Sequence, residues 1–78
     1  MVPLKANEVL DCVGLYCPEP LFQTRRMLDE MNSGEILELF ADDPAAEEDI
    51  KRFAKRTGNE LILFEKINGQ FHFLIKKK

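Results

Sequence analysis

The chain has 78 residues, a length that predicts one small domain over 1–78. Its 45% hydrophobic content excludes simple disorder, and its net charge of −3 argues against general nucleic-acid binding. Two cysteines are too few for a disulfide-stapled mini-protein or a four-thiolate metal centre, and neither a metal nor a cofactor is expected. No apolar run reaches the ~20 residues of a membrane span, and 1–7 lacks a signal-peptide core, which favours a reducing, cytoplasmic location.

The first half of the chain is predicted to form a strand, a helix and a second strand. Residues 9–13 favour the first strand, and a loop from Gly14 to Pro20 leads into a helix that is expected to end near Gly34. The buried helical face is indicated by residues at helical spacing: Leu21, Thr24, Met27, Leu28 and Met31. Residues 35–41 alternate as a strand whose two faces carry Leu37 with Leu39 and Ile36 with Phe40.

The second half is predicted to form a helix and a β-hairpin. Asp43 suits the N-cap, Pro44 suits the first helical position, and Gly58 ends the helix. Its buried stripe is predicted to comprise Ala46, Ile50, Phe53, Ala54 and Thr57. Strands over 61–65 and 71–76 are joined across Asn68-Gly69, a strong hairpin signal. The order βαβαββ predicts an α/β two-layer sandwich, with two helices on one face of a four-stranded mixed sheet.

The opposite face of the predicted sheet has no helix to cover it. If Phe71, Phe73 and Ile75 point towards the helices, then His72 and Leu74 point outward. An outward Leu74, together with Ile36 and Phe40, indicates either a partner surface or ordinary exposed apolar groups. Both interpretations stay open at this stage.

Cys17 is the residue whose position most indicates a chemical role, because it precedes a helix and lies between Gly14 and two prolines, Pro18 and Pro20. The positive end of the helix dipole favours a thiolate, and the prolines restrict the backbone around it. The charge of Glu19 and the two missing N–H donors oppose thiolate formation. We therefore expect a modestly activated, exposed thiol, with a buried structural cysteine as the alternative.

No catalytic base lies near Cys17 in the sequence. The single histidine, His72, belongs to the last strand and is expected to be a solvated edge-strand side chain, with a Cys–His pair as a minor alternative. Cys12 is interpreted as a small core residue, and a reversible disulfide to Cys17 is the alternative. A cysteine without a base on so small a scaffold favours a group carrier that acts with partner enzymes over a stand-alone catalyst.

The stretch Leu10-Asp11-Cys12-Val13-Gly14-Leu15-Tyr16-Cys17-Pro18-Glu19-Pro20 resembles the Cys-Pro-x-Pro signature of the TusA, or SirA-like, family of sulfur carrier proteins. Further matches are Gly34-Glu35, Ala41-Asp42-Asp43-Pro44-Ala45 and Asp49-Ile50, so the resemblance covers nearly the whole chain. It implies the same βαβαββ sandwich. It also implies that Cys17 accepts a sulfane sulfur as a persulfide and relays it, with support from Gly14, Pro18, Glu19 and Pro20.

The resemblance also implies the kind of partner. The sulfur donor would be a cysteine desulfurase or a rhodanese, and the acceptor a downstream relay protein in tRNA thiolation or related sulfur metabolism, with no direct contact to nucleic acid or membrane. Phe22, Arg25 and Arg26 fall off the buried helical stripe and are predicted to contact the donor. The alternatives are a regulatory or interaction module with a structural Cys17, and a dithiol redox protein that uses Cys12 and Cys17.

Overall fold

The computed structural model describes residues 6–16 and 18–78. Its elements are β1 (Glu8–Cys12), α1 (Glu19–Glu30), β2 (Ile36–Ala41), α2 (Pro44–Thr57), β3 (Glu60–Ile67) and β4 (Gln70–Lys76). The predicted order and the two-layer α/β class are confirmed, and only the ends of the elements differ from the expected positions. In the described part of the chain, neither helix is long and apolar enough to cross a membrane.

The strands are arranged in the order β1-β2-β4-β3. β1 is parallel to β2, whereas β4 is antiparallel to both of its neighbours, β2 and β3. Each helical crossover therefore links two parallel strands, as predicted, and the final strand inserts between β2 and β3. Because β4 is an interior strand, the expectation that His72 is an edge-strand side chain is wrong.

The core lies between the sheet and the two helices. The largest contributions come from side chains at most 1% exposed, namely Leu28, Leu37, Leu39, Ile50, Phe73 and Ile75. Burial alternates along β2 as the sequence predicts, because successive side chains of a strand point to opposite faces. Thr57 was predicted to be buried, but it is exposed in the last turn of α2, where its hydroxyl donates to the carbonyl oxygen of Phe53 at 2.8 Å.

The ends of α2 form as their local sequence predicts. The Asp43 side chain accepts a hydrogen bond from the Ala45 backbone N–H at 3.3 Å, and Pro44 occupies the first helical position. Gly58 follows the helix in the left-handed conformation, with φ of 80°, which glycine adopts without a steric penalty. Because α2 directly follows β2 and directly precedes β3, its two ends determine where the chain leaves β2 and where it begins β3.

The face of the sheet away from the helices, here called the outer face, is assigned by the strand register. It carries Val9, Asp11, Ile36, Glu38, Phe40, Leu63, Glu65, Ile67, His72, Leu74 and Lys76. Leu74 points outward as predicted but is only 3% exposed, because strands flank β4 on both sides and their side chains cover it. The prediction of an exposed apolar group is therefore wrong for Leu74.

The loop after β1 and the hairpin between β3 and β4 lie at the same end of the sheet. Cys12, the last residue of β1, is in register with Ala41, which is in register with Phe71. The hairpin turn consists of Asn68 and Gly69, with φ values of 52° and 81°, as a two-residue type I′ turn requires. We call this end of the molecule the loop end.

Candidate functional site

Cys17, the residue predicted to carry the chemistry, lies outside the described residues, but the chain on both sides of it is described. The Glu19 backbone N–H donates to the carbonyl oxygen of Tyr16 at 2.9 Å, and the Phe22 N–H donates to that of Pro18 at 3.0 Å. The first of these bonds ties together the segments that flank Cys17, and the second belongs to the first turn of α1.

Two carboxylates hold the loop between β1 and α1. Asp11 Oδ1 accepts from the Val13 backbone N–H at 3.0 Å, and Asp42 Oδ1 accepts from the Gly14 N–H at 2.9 Å. Gly14 has φ of 89°, so the loop requires a glycine at this position. Sequence reasoning missed Asp42 as part of the site. The signal that could have identified Asp42 is topological. Asp42 directly follows β2, and the carboxyl ends of the neighbouring parallel strands β1 and β2 meet at one edge of the sheet.

The start of α1 offers few free N–H donors. Pro18 occupies the N-cap position without a side-chain cap, and Pro20, buried at the second helical position, has no N–H. The Glu19 N–H is already used by Tyr16. The helix dipole remains, but the set of backbone donors that usually stabilises an anion at a helix start is reduced here.

The side chains around this helix start are exposed to solvent. Tyr16 is 75% exposed and Phe22 is 56% exposed, and Arg25 and Arg26 are also exposed. Phe22 and Arg26 line a shallow depression of about 250 Å³ together with Glu19. Arg25 instead lines a separate cleft between the two helices, so the structure brings together only two of the three residues predicted to contact a donor.

Comparisons with known proteins identify the family to which this sequence and fold belong. The sequence model of a family described as "Sulfurtransferase TusA" matches residues 8–77. The chain belongs to the TusA family. An Allochromatium vinosum protein named "Sulfur carrier protein TusA" is 45% identical over 71 residues, which cover 91% of this chain and 93% of the relative. An Archaeoglobus fulgidus protein named "Putative sulfur carrier protein" is 52% identical over 68 residues, which cover 86% of this chain and 88% of the relative.

A solved structure supports the fold of this TusA-family chain. A SirA-like protein from Desulfitobacterium hafniense superimposes with a TM-score of 0.80 at 20% sequence identity. The alignment covers 88% of this chain and 95% of that protein. At this identity the likeness shows the fold, and it agrees with the βαβαββ order.

In this member of the TusA family, Cys12 is a core residue, as predicted. Its thiol is free, and the side chain is 0% exposed between the sheet and the helices. Burial raises the pKa of Cys12 above its ordinary value, and the negative charges of Asp11 and Glu19 add to the effect. A buried, protonated thiol is a poor nucleophile, which disfavours the dithiol redox interpretation. Among the described residues, no cluster of His, Cys, Asp and Glu is placed to hold a metal ion.

His72 is fully engaged on the outer face and is not a free base. Its Nε2 lies 2.7 Å from a Glu38 carboxylate oxygen, and its Nδ1 lies 3.0 Å from one of Glu65. Because carboxylates only accept, a ring that donates from both nitrogens carries both protons and a positive charge. Burial opposes that charge, but the hydrogen bonds that the ring donates to Glu65 and Glu38, and the negative charges of these carboxylates, outweigh it and raise the pKa of His72. This arrangement disfavours a pair with Cys17.

Proposed function

We propose that this chain is a sulfur carrier that accepts a sulfane sulfur as a persulfide on Cys17 and passes it to an acceptor protein. The main support is the match of residues 8–77 to the TusA family, together with the Cys-Pro-x-Pro motif at the start of α1. The names of the relatives support the same function. The exposed side chains of Tyr16 and Pro18, on either side of Cys17, leave room for a partner protein.

The transfer needs only a thiolate and a persulfide. The Cys17 thiolate attacks the outer sulfur of the donor persulfide, the donor S–S bond breaks, and the donor cysteine leaves as a thiolate. In the second step the acceptor thiolate attacks the outer sulfur of the Cys17 persulfide, the S–S bond breaks, and the Cys17 thiolate is released. The helix dipole of α1 favours the thiolate form in both steps. The protein works with partner enzymes and does not need a base of its own.

The sulfur-loading experiment tests this function through the two cysteines. The protein is incubated with a cysteine desulfurase and cysteine, and its intact mass is measured with and without a reductant. We expect an adduct of one sulfur atom that the reductant removes. The adduct is lost in Cys17→Ser and kept in Cys12→Ser, because Cys12 is buried. If no donor, protein or small molecule, loads the wild-type chain, the alternative of an interaction module with a structural Cys17 is favoured.

The donor, a cysteine desulfurase or a rhodanese, is proposed to dock against α1. Phe22 and Arg26, which line one depression, and the exposed Arg25 of the neighbouring cleft support this placement, since they combine an aromatic group with cations. Reversing the charge of both arginines to glutamate should raise the KM for the donor about ten-fold, the effect of ~1.4 kcal/mol of lost binding. Loading by a small-molecule polysulfide should not change. An unaltered KM for the protein donor would reject the docking surface.

A further inference from the structure

A row of four side chains crosses the outer face at the loop end. Asp11 is in register with Phe40, Phe40 with His72, and His72 with Glu65. The two central rings are stacked, with centroids 4.8 Å apart and an angle of 9° between their planes. The row thus has an aromatic pair at its centre and a carboxylate on each of the two edge strands.

A pocket opens beside this row, next to the hairpin turn. It has a volume of about 320 Å³ and is lined by Phe40, Ile67, Asn68, Gln70, Phe71 and His72. Ile67 is 56% exposed, so its side chain is accessible to a partner at the edge of the pocket. The mixture of apolar walls and a few polar groups is typical of a site for one apolar side chain.

The outer face at the loop end and the cleft between the two helices differ in charge. Asp11, Glu38 and Glu65 give the outer face three carboxylates near the pocket, which His72 offsets only in part. Lys76 lies on the same face but at the far end of β4. On the helix side, the cleft between α1 and α2 is lined by four cations, Arg25, Arg56, Lys77 and Lys78, and by one carboxylate, Asp29. Surfaces of opposite sign select partners of opposite sign.

We propose that the outer face at the loop end is the docking surface for the sulfur acceptor, which presents an apolar side chain between basic residues. The inference rests on the proposed function, because a carrier meets a donor and an acceptor in turn. The proposed donor surface, with Phe22, Arg25 and Arg26, lies on α1, and the outer face offers a second, acidic surface. Two strand spacings of about 4.8 Å separate β1, which leads into the Cys17 loop, from β4.

The row also sets the spacing of the partner's charges. Asp11 and Glu65 stand on the two edge strands, three strand spacings or about 14 Å apart. An extended segment rises about 3.3 Å per residue, so basic residues about four positions apart would reach both carboxylates. An apolar side chain midway between them would lie over the pocket. Nucleic acid does not suit this surface, because its phosphates would meet the carboxylates.

The test uses a synthetic peptide as the probe for the acceptor segment. The peptide has two lysines four positions apart, a phenylalanine between them and one terminal cysteine. A matched peptide has glutamates in place of the lysines. Binding to the unloaded full-length chain is followed by amide chemical shifts, and we expect the lysine peptide to shift residues of the Asp11–Glu65 row. The proposal would be overturned by shifts confined to α1, by equal binding of the glutamate peptide, or by the absence of binding at about 1 mM. A dissociation constant of that size corresponds to a binding free energy near −4 kcal/mol.

Two matched variants test the pocket itself. Ile67 and Val9 lie on the outer face and are exposed to a similar degree, 56% and 58%, but only Ile67 lines the pocket. Ile67→Gln should weaken peptide binding about five-fold, the cost of a modest anchor residue, whereas Val9→Gln should leave it unchanged. Equal effects of the two substitutions would overturn the assignment of the pocket.

The binding test is independent of the sulfur chemistry. Cys17→Ser should still bind the lysine peptide while it carries no sulfur, so failure of the docking surface and failure of the proposed function give different results. In the loaded wild type, the peptide thiolate attacks the outer sulfur of the Cys17 persulfide, the S–S bond breaks and the Cys17 thiolate leaves. Transfer to the peptide should fall in Ile67→Gln by the same factor as binding, and unchanged transfer would reject the surface.

Discussion

Asp42 holds the loop that leads to Cys17 through a hydrogen bond between residues far apart in the sequence. Its Oδ1 lies 2.9 Å from the Gly14 backbone nitrogen, 28 positions away, and so ties the end of β2 to the loop after β1. Gly14 precedes Cys17 by three residues. Asp42 is a positioning residue in this arrangement, since it acts through the backbone of the loop.

Two substitutions of Asp42 distinguish its role in positioning the loop from an effect of its negative charge. Asp42→Asn keeps an oxygen that accepts from Gly14, and we expect it to load sulfur at close to the wild-type rate. Asp42→Ala removes the acceptor and should slow loading about ten-fold, because misplacing a reacting group is costly. The measurement is the single-turnover loading rate, with the pH profile of thiol alkylation as a second readout. Buried Cys12 does not interfere with alkylation. If Asn and Ala give the same change, Asp42 acts through its charge and this assignment is wrong.

At the scale of the elements, local sequence signals were sufficient to predict the type and the order of the strands and helices along the chain. The alternation of Leu37 and Leu39 with Ile36 and Phe40, the Asp43-Pro44 helix start and the Asn68-Gly69 turn each predicted a feature that the structure has. These signals work because they reflect the period of a strand, the unpaired N–H groups of a helix start and the positive φ values of a turn.

Features that depend on how strands pair were beyond the sequence argument. Nothing local in β4 indicates that it inserts between β2 and β3, and that insertion buries Leu74 and brings His72 between Glu38 and Glu65. The hydrogen bond from Gly14 to Asp42 depends in the same way on β1 pairing with β2. The motif around Cys17 was recognisable from the sequence, whereas the groups that support it and the pocket at Ile67 required the register.

At the scale of the whole molecule, one imidazole ring links three of the four strands. His72 on β4 contacts Glu38 on β2 and Glu65 on β3, and its ring stacks on Phe40 of β2. The His72 side chain is 17% exposed, so its contacts are less screened by solvent than those of a surface ion pair. The chain has a single histidine, so this ring is the one imidazole that titrates near neutral pH.

The stability of the fold should therefore fall as the pH rises past neutrality. The folded pKa of His72 is raised above its unfolded value, near 6.5, so the stabilisation is fully present below about pH 6.5 and is lost as the pH rises through the raised pKa. We expect urea unfolding to give a lower free energy at about pH 8.5 than at about pH 6. His72→Gln should cost about 1–3 kcal/mol at the lower pH, because it removes the charged hydrogen bonds. The variant should also flatten the pH dependence, and a wild type whose stability is constant or rises over this range would show that the ring is not held as an imidazolium.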